Sequence, residues 1–453
     1  MDLDLKEIDR LEASRDYTGA ISALNSMLTE DSAETIRYRL ALIELKTGKV
    51  NHALENLQLC SEMESDNHGI TLNYGHALKA AGKNQQAAEK YLQLTKMTDD
   101  KVAAIGYWSL ASLRSYTFQS EDVNDINKRL NLKTTPPGYQ GLLLLSLAEA
   151  QDQQRNDDAA FTALKQGNDI IGQQRPFRGD LYQKLIQALM RDFKPSSNTN
   201  PNHLDTPIFI IGMPRSGSTL VEQILANHSQ VEATHELLFL GDISIELEKK
   251  GGYAKQLSNL SKENASVFAQ DYLAKTAIYR EAHSAYFIDK NPNNFLHIGL
   301  IKTIFPHARI INVVRDPLDN GVGVFRHFFS EGHEYSYSFE GIIFYWQGYL
   351  ALMQHWQNLF PGEIHQLSYE QLVRHPHNTI QALLDYCELN SEAACFAPEK
   401  SDRAVLTPSA AQVRKPISTF AIGSGLKYKN HLKLHLPPLA LIRNKAEEIF
   451  ALS

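Results

Sequence analysis

At 453 residues the chain exceeds what one hydrophobic core usually organises, so two or three domains are expected. Its 52 acidic against 45 basic residues, a formal charge of -7, exclude general nucleic-acid binding, which requires a basic surface, while leaving room for local anion sites. Three scattered cysteines, Cys60, Cys387 and Cys395, supply neither a disulfide framework nor a Cys-rich zinc site. With no signal-like start in "MDLDLKEIDR" and no run near ~18 apolar residues, the composition predicts a soluble cytoplasmic protein with no membrane partner.

Residues 1–195 show helical patterning and almost no strand signal. Within them "ALIELKTGKVNHALENLQLC" is followed by "GHALKAAGKNQQAAEKYLQL", with Gly48 and Gly82, and Ala53 and Ala87, each 34 residues apart. That is the tetratricopeptide period. Glycine permits the tight turn between paired helices and alanine their close approach; Leu57 and Tyr91, also one period apart, fill the space between repeats. Fainter copies occur at "RDYTGAISAL", "GYWSLASL" and "LAEAQDQQRNDDAAFTALKQ". The half resembles a tetratricopeptide array, and such solenoids present a concave face to a protein or peptide or pair with a second copy of the chain.

A polar link, "KPSSNTNPNHLDTP", places a boundary at 196–206, and the pattern then changes. "PIFIIGM", "AYFID" and "ARIINVV" are short apolar runs rich in β-branched residues, separated by helical stretches such as "FLHIGLIKTIF" and "FEGIIFYWQGYLALMQHW". Residues 207–453 are therefore expected to form an α/β domain whose central parallel sheet is covered on both faces, after an α-helical solenoid. Ligands of such sheets bind at the carboxyl ends of the strands, where the loop at Gly212 and "RDPLDN" fall.

That loop, "GMPRSGST", has the glycine spacing and the hydroxyl of a phosphate-binding P-loop, but Ser218 stands where lysine belongs and Arg215 lies inside the loop. A helix starting near Ser218 would aim free N–H groups and its positive end at an anion, and Arg215 adds a planar cationic fork. Without the lysine that reaches the β- and γ-phosphates, an ATPase or GTPase is disfavoured. A sulfuryl group carries less charge than a phosphoryl group and needs no Mg²⁺ to be neutralised.

"IFIIGMPRSGSTLVEQIL" resembles the 5′-phosphosulfate loop of the sulfotransferases, and the likeness continues through "DKNPNNFLHIGLIKTIFPHARIINVVRDPLDN", "LSYEQLVRHP" and "TPSAAQVRKPI". The chain is similar to tetratricopeptide-linked bacterial members related to protein-tyrosine sulfotransferases. The resemblance implies 3′-phosphoadenosine-5′-phosphosulfate (PAPS) as donor, 3′,5′-adenosine bisphosphate (PAP) as product, a hydroxyl acceptor such as protein tyrosine, and no metal. It assigns Arg215, Ser216, Gly217, Ser218 and Thr219 to the donor's phosphosulfate, Arg315 to its 3′-phosphate and Tyr369 to the donor site. Glu236, 21 residues after Arg215, matches the base that takes the acceptor's proton. Lys290 and Ser409 match groups that stabilise the transferring sulfuryl.

Taken alone, each has an ordinary alternative: Glu236 a solvated helix-start residue, Lys290 a strand-end charge, Ser409 a cap, Arg315 a partner of Asp316, Tyr369 a core aromatic. His235 is a second candidate base, as histidine is in the small-molecule branch of the superfamily, while "HELLF" lacks the second histidine of an H-E-x-x-H zinc site. The pattern also breaks. Gly323 stands where the family usually has serine, and Ser424 and Gly425 replace a basic residue and tryptophan. Asn320, His327, Arg414, Lys415 and Lys427 are candidates to compensate. These losses motivate a competing reading, a protein-binding scaffold with a degenerate nucleotide site. Asp316, placed like a Walker-B aspartate, motivates a third, an Mg-dependent phosphotransferase.

Overall fold

The computed structural model describes every residue except Met1, 30–32, Ser65, Lys133, 196–205, His283, Asp402, Pro408 and 452–453, so of the link predicted at 196–206 only Thr206 is described. Among the described residues, eleven helices run from Asp2 to Asp192 before the first strand. Ala33–Lys46 and Val50–Met63 form one pair, His68–Ala80 and Asn84–Thr95 the next. Gly48 and Gly82 make the turns with φ of +80° and +78°, the left-handed conformation that glycine adopts without steric cost. Ala53, Ala87, Leu57 and Tyr91 are all fully buried. The repeat read in the sequence is thus a repeat of packing roles.

The second half is built on a five-stranded, wholly parallel sheet: β1 (Thr206–Gly212), β2 (Val231–Ala233), β3 (Tyr286–Lys290), β4 (Arg309–Val314) and β5 (Ile364–Ser368), in the order β2-β3-β1-β4-β5. Its central strands are apolar on both faces because both are covered. Phe209, Ile211, Phe287 and Ile310 join one core. Ile208, Ile210, Ile288, Ile311 and Val313 join the other, under Ser218–Ala226 and Pro376–Tyr386. β2 and β5, which the sequence pattern did not single out, are the edges. β2 has three residues, and β5 carries His365 and Gln366, the latter accepting from Asn312 Nδ2 at 2.7 Å.

The larger core crosses the link. Tyr182 stacks on Tyr345 with ring centroids 4.4 Å apart, and Phe193 meets Trp356 edge-on at 5.3 Å. Asn168 Nδ2, fully buried, donates to Phe325 O at 2.8 Å. Arg15 holds Asp242 through two hydrogen bonds of 2.5 and 3.1 Å. The helical half is therefore packed against the α/β half along much of its length.

Candidate active site

Every strand delivers a candidate residue at its carboxyl end. β1 runs into the loop 213–217, β2 leads to His235 and Glu236, β3 ends on Lys290, β4 is followed by Arg315, and β5 by Tyr369. The connection leaving β1 passes to β2 on one side and that leaving β4 passes to β5 on the other, so the crevice of the sheet opens between β1 and β4.

The loop's backbone is specified residue by residue. Gly212 has φ +140° and an added Cβ would lie 2.4 Å from Val313 O, so the chain leaves β1 hard against β4. Arg215 is left-handed at φ +65°, and Gly217, at +102°, begins the helix Ser218–Ala226. The first amides of a helix lack intrahelical acceptors, and here Leu220 N already turns back to Gly217 O at 2.9 Å, which leaves those of Ser218 and Thr219 at the loop. Ser216 is fully buried and its Oγ has no hydrogen-bond partner among the described residues. A buried hydroxyl without a partner is costly, and a phosphoryl or sulfuryl oxygen would satisfy it. Ser218 and Thr219 are buried beside it, Thr219 Oγ1 lying 3.2 Å from Thr407 Oγ1.

The arginines converge on this loop. Arg215 donates to Ser409 Oγ at 2.7 Å and to Gln412 Oε1 at 3.3 Å, which brings the predicted Ser409 to the loop across 194 residues of chain. Burial first, then the charges of Arg315 and Arg326, push the Arg215 guanidinium below its ordinary value. Since a guanidinium keeps its proton, the displacement expresses how poorly the charge is balanced without an anion. Arg315 spans the crevice, donating to Arg215 O at 3.2 Å and Ala421 O at 2.7 Å, with its plane 4.8 Å from the Tyr369 ring centroid. Its Nε is buried and has no partner among the described residues. Tyr369 also closes on the loop, 2.5 Å from where a Cβ at Gly217 would stand.

On the other side of β1, Lys290 Nζ pairs with the Glu236 carboxylate. The lysine side chain is 1% exposed and the glutamate 49%, so the pair reaches from the interior to the surface of the crevice. His235 is differently placed. Its φ is +67°, Arg403 Nη2 lies 3.2 Å from its Nδ1, and a Cβ on Gly48 of the helical half would stand 2.6 Å from its Nε2. A guanidinium can only donate, so Nδ1 is the acceptor and its lone pair is occupied. Burial, followed by the charge of Arg403, brings this imidazole down to about 3. The geometry favours Glu236 over His235 as a base.

Asp316 does not resemble a metal-binding aspartate in its contacts. Its Oδ1 caps the helix Pro317–Phe325, accepting from Leu318 N and Asp319 N at 3.0 and 3.1 Å, and its Oδ2 pairs with Arg443 at 2.6 Å. Among the five proposed compensators, Asn320 is spent on Pro214 O and Trp346 Nε1, Arg414 donates to Ala80 O and Arg403 O, and Lys427 pairs with Asp152. His327 is held neutral by burial and by the charges of Arg215, Arg114 and Lys79, and Lys415 is exposed.

The structure adds residues that carried no sequence signal. Arg403 bridges the buried Glu222, Gln223 and His235, fixing the turn before Glu236. Asp319 accepts from Gly423 N and Gly425 N, both at 2.7 Å, and so pins the segment that offers Ala421 O to Arg315. Gly425 lies against Leu318, whose O would be 3.0 Å from an added Cβ, so its lack of a side chain answers a packing demand.

Buried ionisable groups set an acid limit on the fold. His76, His235 and His297 are brought down to about 4, 3 and 4, by burial above all. An unfolded histidine titrates near ~6.5, so below that pH the unfolded chain takes up protons the native chain refuses, and stability falls towards pH ~4. Asp289, raised to about 7 by burial, acts oppositely: its stabilisation is complete below the unfolded value of ~3.9 and is lost as pH rises through 7. The urea midpoint is expected to fall on acidification, and Asp289→Asn to steepen that fall; a shallower pH dependence in the variant would contradict this assignment.

Residues 207–393 match the model described as "Sulfotransferase family". An uncharacterised protein of Aquifex aeolicus (strain VF5) is 27% identical over 407 residues, 86% of this chain and 52% of that protein. Protein-tyrosine sulfotransferase 1 of Danio rerio is 24% identical over 217 residues, 46% of this chain and 61% of that protein. The chain thus spans between about half and two thirds of the length of these curated relatives. Among solved structures, the sulfotransferase domain of the Synechococcus PCC 7002 olefin synthase is 20% identical, aligning 52% of this chain with 98% of that one at a TM-score of 0.34. Residues 207–393, within the α/β half that holds the lysine-less loop and the charged strand ends, are thus similar to the sulfotransferase family.

Proposed function

We propose that the chain transfers a sulfuryl group from PAPS to a hydroxyl acceptor, with protein tyrosine the leading candidate. The observation that carries this reading is the delivery of Arg215, Arg315, Lys290 and Glu236 from four different strand ends along one edge of the sheet, as two neighbouring pairs. The residues present fit the donor. Among the described residues the buried Ser216 Oγ and Arg315 Nε are both unpartnered, and Gly217 starts a helix directly after the loop. When bound, PAPS would supply an activated sulfuryl group on its 5′-phosphate. Arg215, Ser216, Gly217, Ser218 and Thr219 would hold that end, and Arg315, stacked on Tyr369, would take the 3′-phosphate.

Glu236 accepts the acceptor's proton, a useful step because a phenol's pKa is near ~10. In the free chain Lys290 neutralises Glu236. With an acceptor hydroxyl on the carboxylate, the Lys290 ammonium, together with Ser409, would be free to hold negative charge on a bound sulfuryl group. The reading is tested by titrating the full chain with PAP and with ADP, which differ at the 3′-phosphate, followed by transfer of labelled sulfate to tyrosine-containing peptides. Preference for PAP supports it. Binding of neither favours a scaffold, and equal binding favours a phosphotransferase.

Gly323 offers a gain-of-function check. A Cβ there would lie 3.4 Å from Arg215 Cβ, ordinary contact, so serine fits beside the loop. Gly323→Ser is expected to tighten PAP binding about tenfold, the value of one hydrogen bond to a charged group. Unchanged affinity in calorimetry would show that the hydroxyl does not reach the donor.

A further inference from the structure

The turn Ala80–Lys83 of the helical half lies on the segment that serves Arg215. Arg414 donates to Ala80 O at 3.1 Å, Val405 N donates to the same carbonyl at 3.1 Å, and a Cβ on Gly82 would lie 2.9 Å from the Arg414 guanidinium. That segment also contains Ser409 and Gln412, the two acceptors of Arg215. Lys79, at the end of the helix His68–Ala80, therefore stands at the border of the crevice, donating to Ser112 Oγ at 2.8 Å.

Its surroundings are cationic. Arg114, two residues beyond Ser112, shares Glu149 with Arg326, and Arg326 and Lys427 share Asp152. Lys79 and Arg215 thus lie beside a cluster in which Arg114, Arg326 and Lys427 share two carboxylates, and among the described residues neither carboxylate pairs with Lys79 or Arg215. Burial, then the charges of Arg114 and Arg215, bring the Lys79 ammonium down to about 8. An unpaired ammonium gathered with like charges is unfavourable unless an anion completes the site.

We propose that Lys79 is a donor-binding residue, through which the helical half completes the pocket for the donor's 5′-phosphosulfate opposite the Arg215 loop. This rests on the PAPS reading above. It makes the repeats part of the nucleotide site as well as a surface for partners, and it accounts for a lysine's absence from the loop itself: the ammonium arrives from another part of the chain.

The test compares the full chain with Lys79→Met and Lys79→Gln, the latter keeping a donor for Ser112. Calorimetry uses PAP and adenosine 3′-monophosphate, which lacks the 5′ anion, with the ligand-free thermal midpoint recorded for each protein. The expected result is a loss of PAP affinity of about ten- to a hundredfold in both variants. Adenosine 3′-monophosphate should bind all three proteins alike, and the ligand-free midpoint should be unchanged or higher, since an uncompensated charge has been removed. Unchanged PAP affinity overturns the proposal and leaves the donor reading standing. Equal loss of both ligands, or a lowered midpoint in both variants, makes Lys79 structural and also overturns it. A wild-type chain that binds no PAP removes the donor reading, and this proposal with it.

Discussion

Glu236→Gln is expected to lower turnover by about 10²–10⁴-fold while leaving PAP affinity unchanged. Glutamine preserves the size of the side chain and can still accept from Lys290, but it cannot take a proton from the acceptor. Because Glu236 is about half exposed and Lys290 is interior, the substitution leaves the crevice packing intact. His235 is no substitute, since its available lone pair faces Arg403 and burial keeps it neutral. Single-turnover transfer of labelled sulfate, measured beside PAP calorimetry, separates the two effects. Undiminished turnover would remove Glu236 as the base.

Arg315→Met is expected to weaken PAP by about ten- to a hundredfold and ADP hardly at all. Methionine retains the apolar stem against Tyr369 but supplies none of the guanidinium's donors. Two of those donors hold carbonyls of the loop and of the 421 turn, at 3.2 and 2.7 Å, while the buried Nε has no partner among the described residues. If the 3′-phosphate uses the remaining donors, only the ligand that carries it responds. Equal weakening of both nucleotides would instead show that Arg315 acts by holding the loop carbonyl. The two-ligand design therefore distinguishes recognition from support.

The sequence made the locally encoded parts of this protein legible. The strand–loop–helix at 206–226 could be read because glycine spacing, β-branched residues and a helix start act over a few residues. The 34-residue repeat could be read because each turn must solve the same steric problem, as Gly48 and Gly82 do. Arg315 and Lys290 were visible as charges directly after apolar strands. Less legible were contacts that need the finished fold: Ser409 on Arg215, Arg403 on His235, Asp319 under Gly425, and Lys79 at the crevice. The losses at Gly323 and Gly425 look alike in sequence but differ in space, one leaving room beside Arg215 and the other filled by Leu318. Edge strands β2 and β5 escaped notice because three residues, or a polar pair on a half-covered edge, give little periodic signal.

The seating of Gly48 against His235 ties the descent of the two halves together. A side chain gained at that turn would disturb the repeat and also displace the residue preceding the candidate base. Recombination that exchanged the repeats alone would replace the surface on which the His235 turn rests. Viable lineages are therefore expected to change the turn at 47–49 and the residue at 235 as a pair.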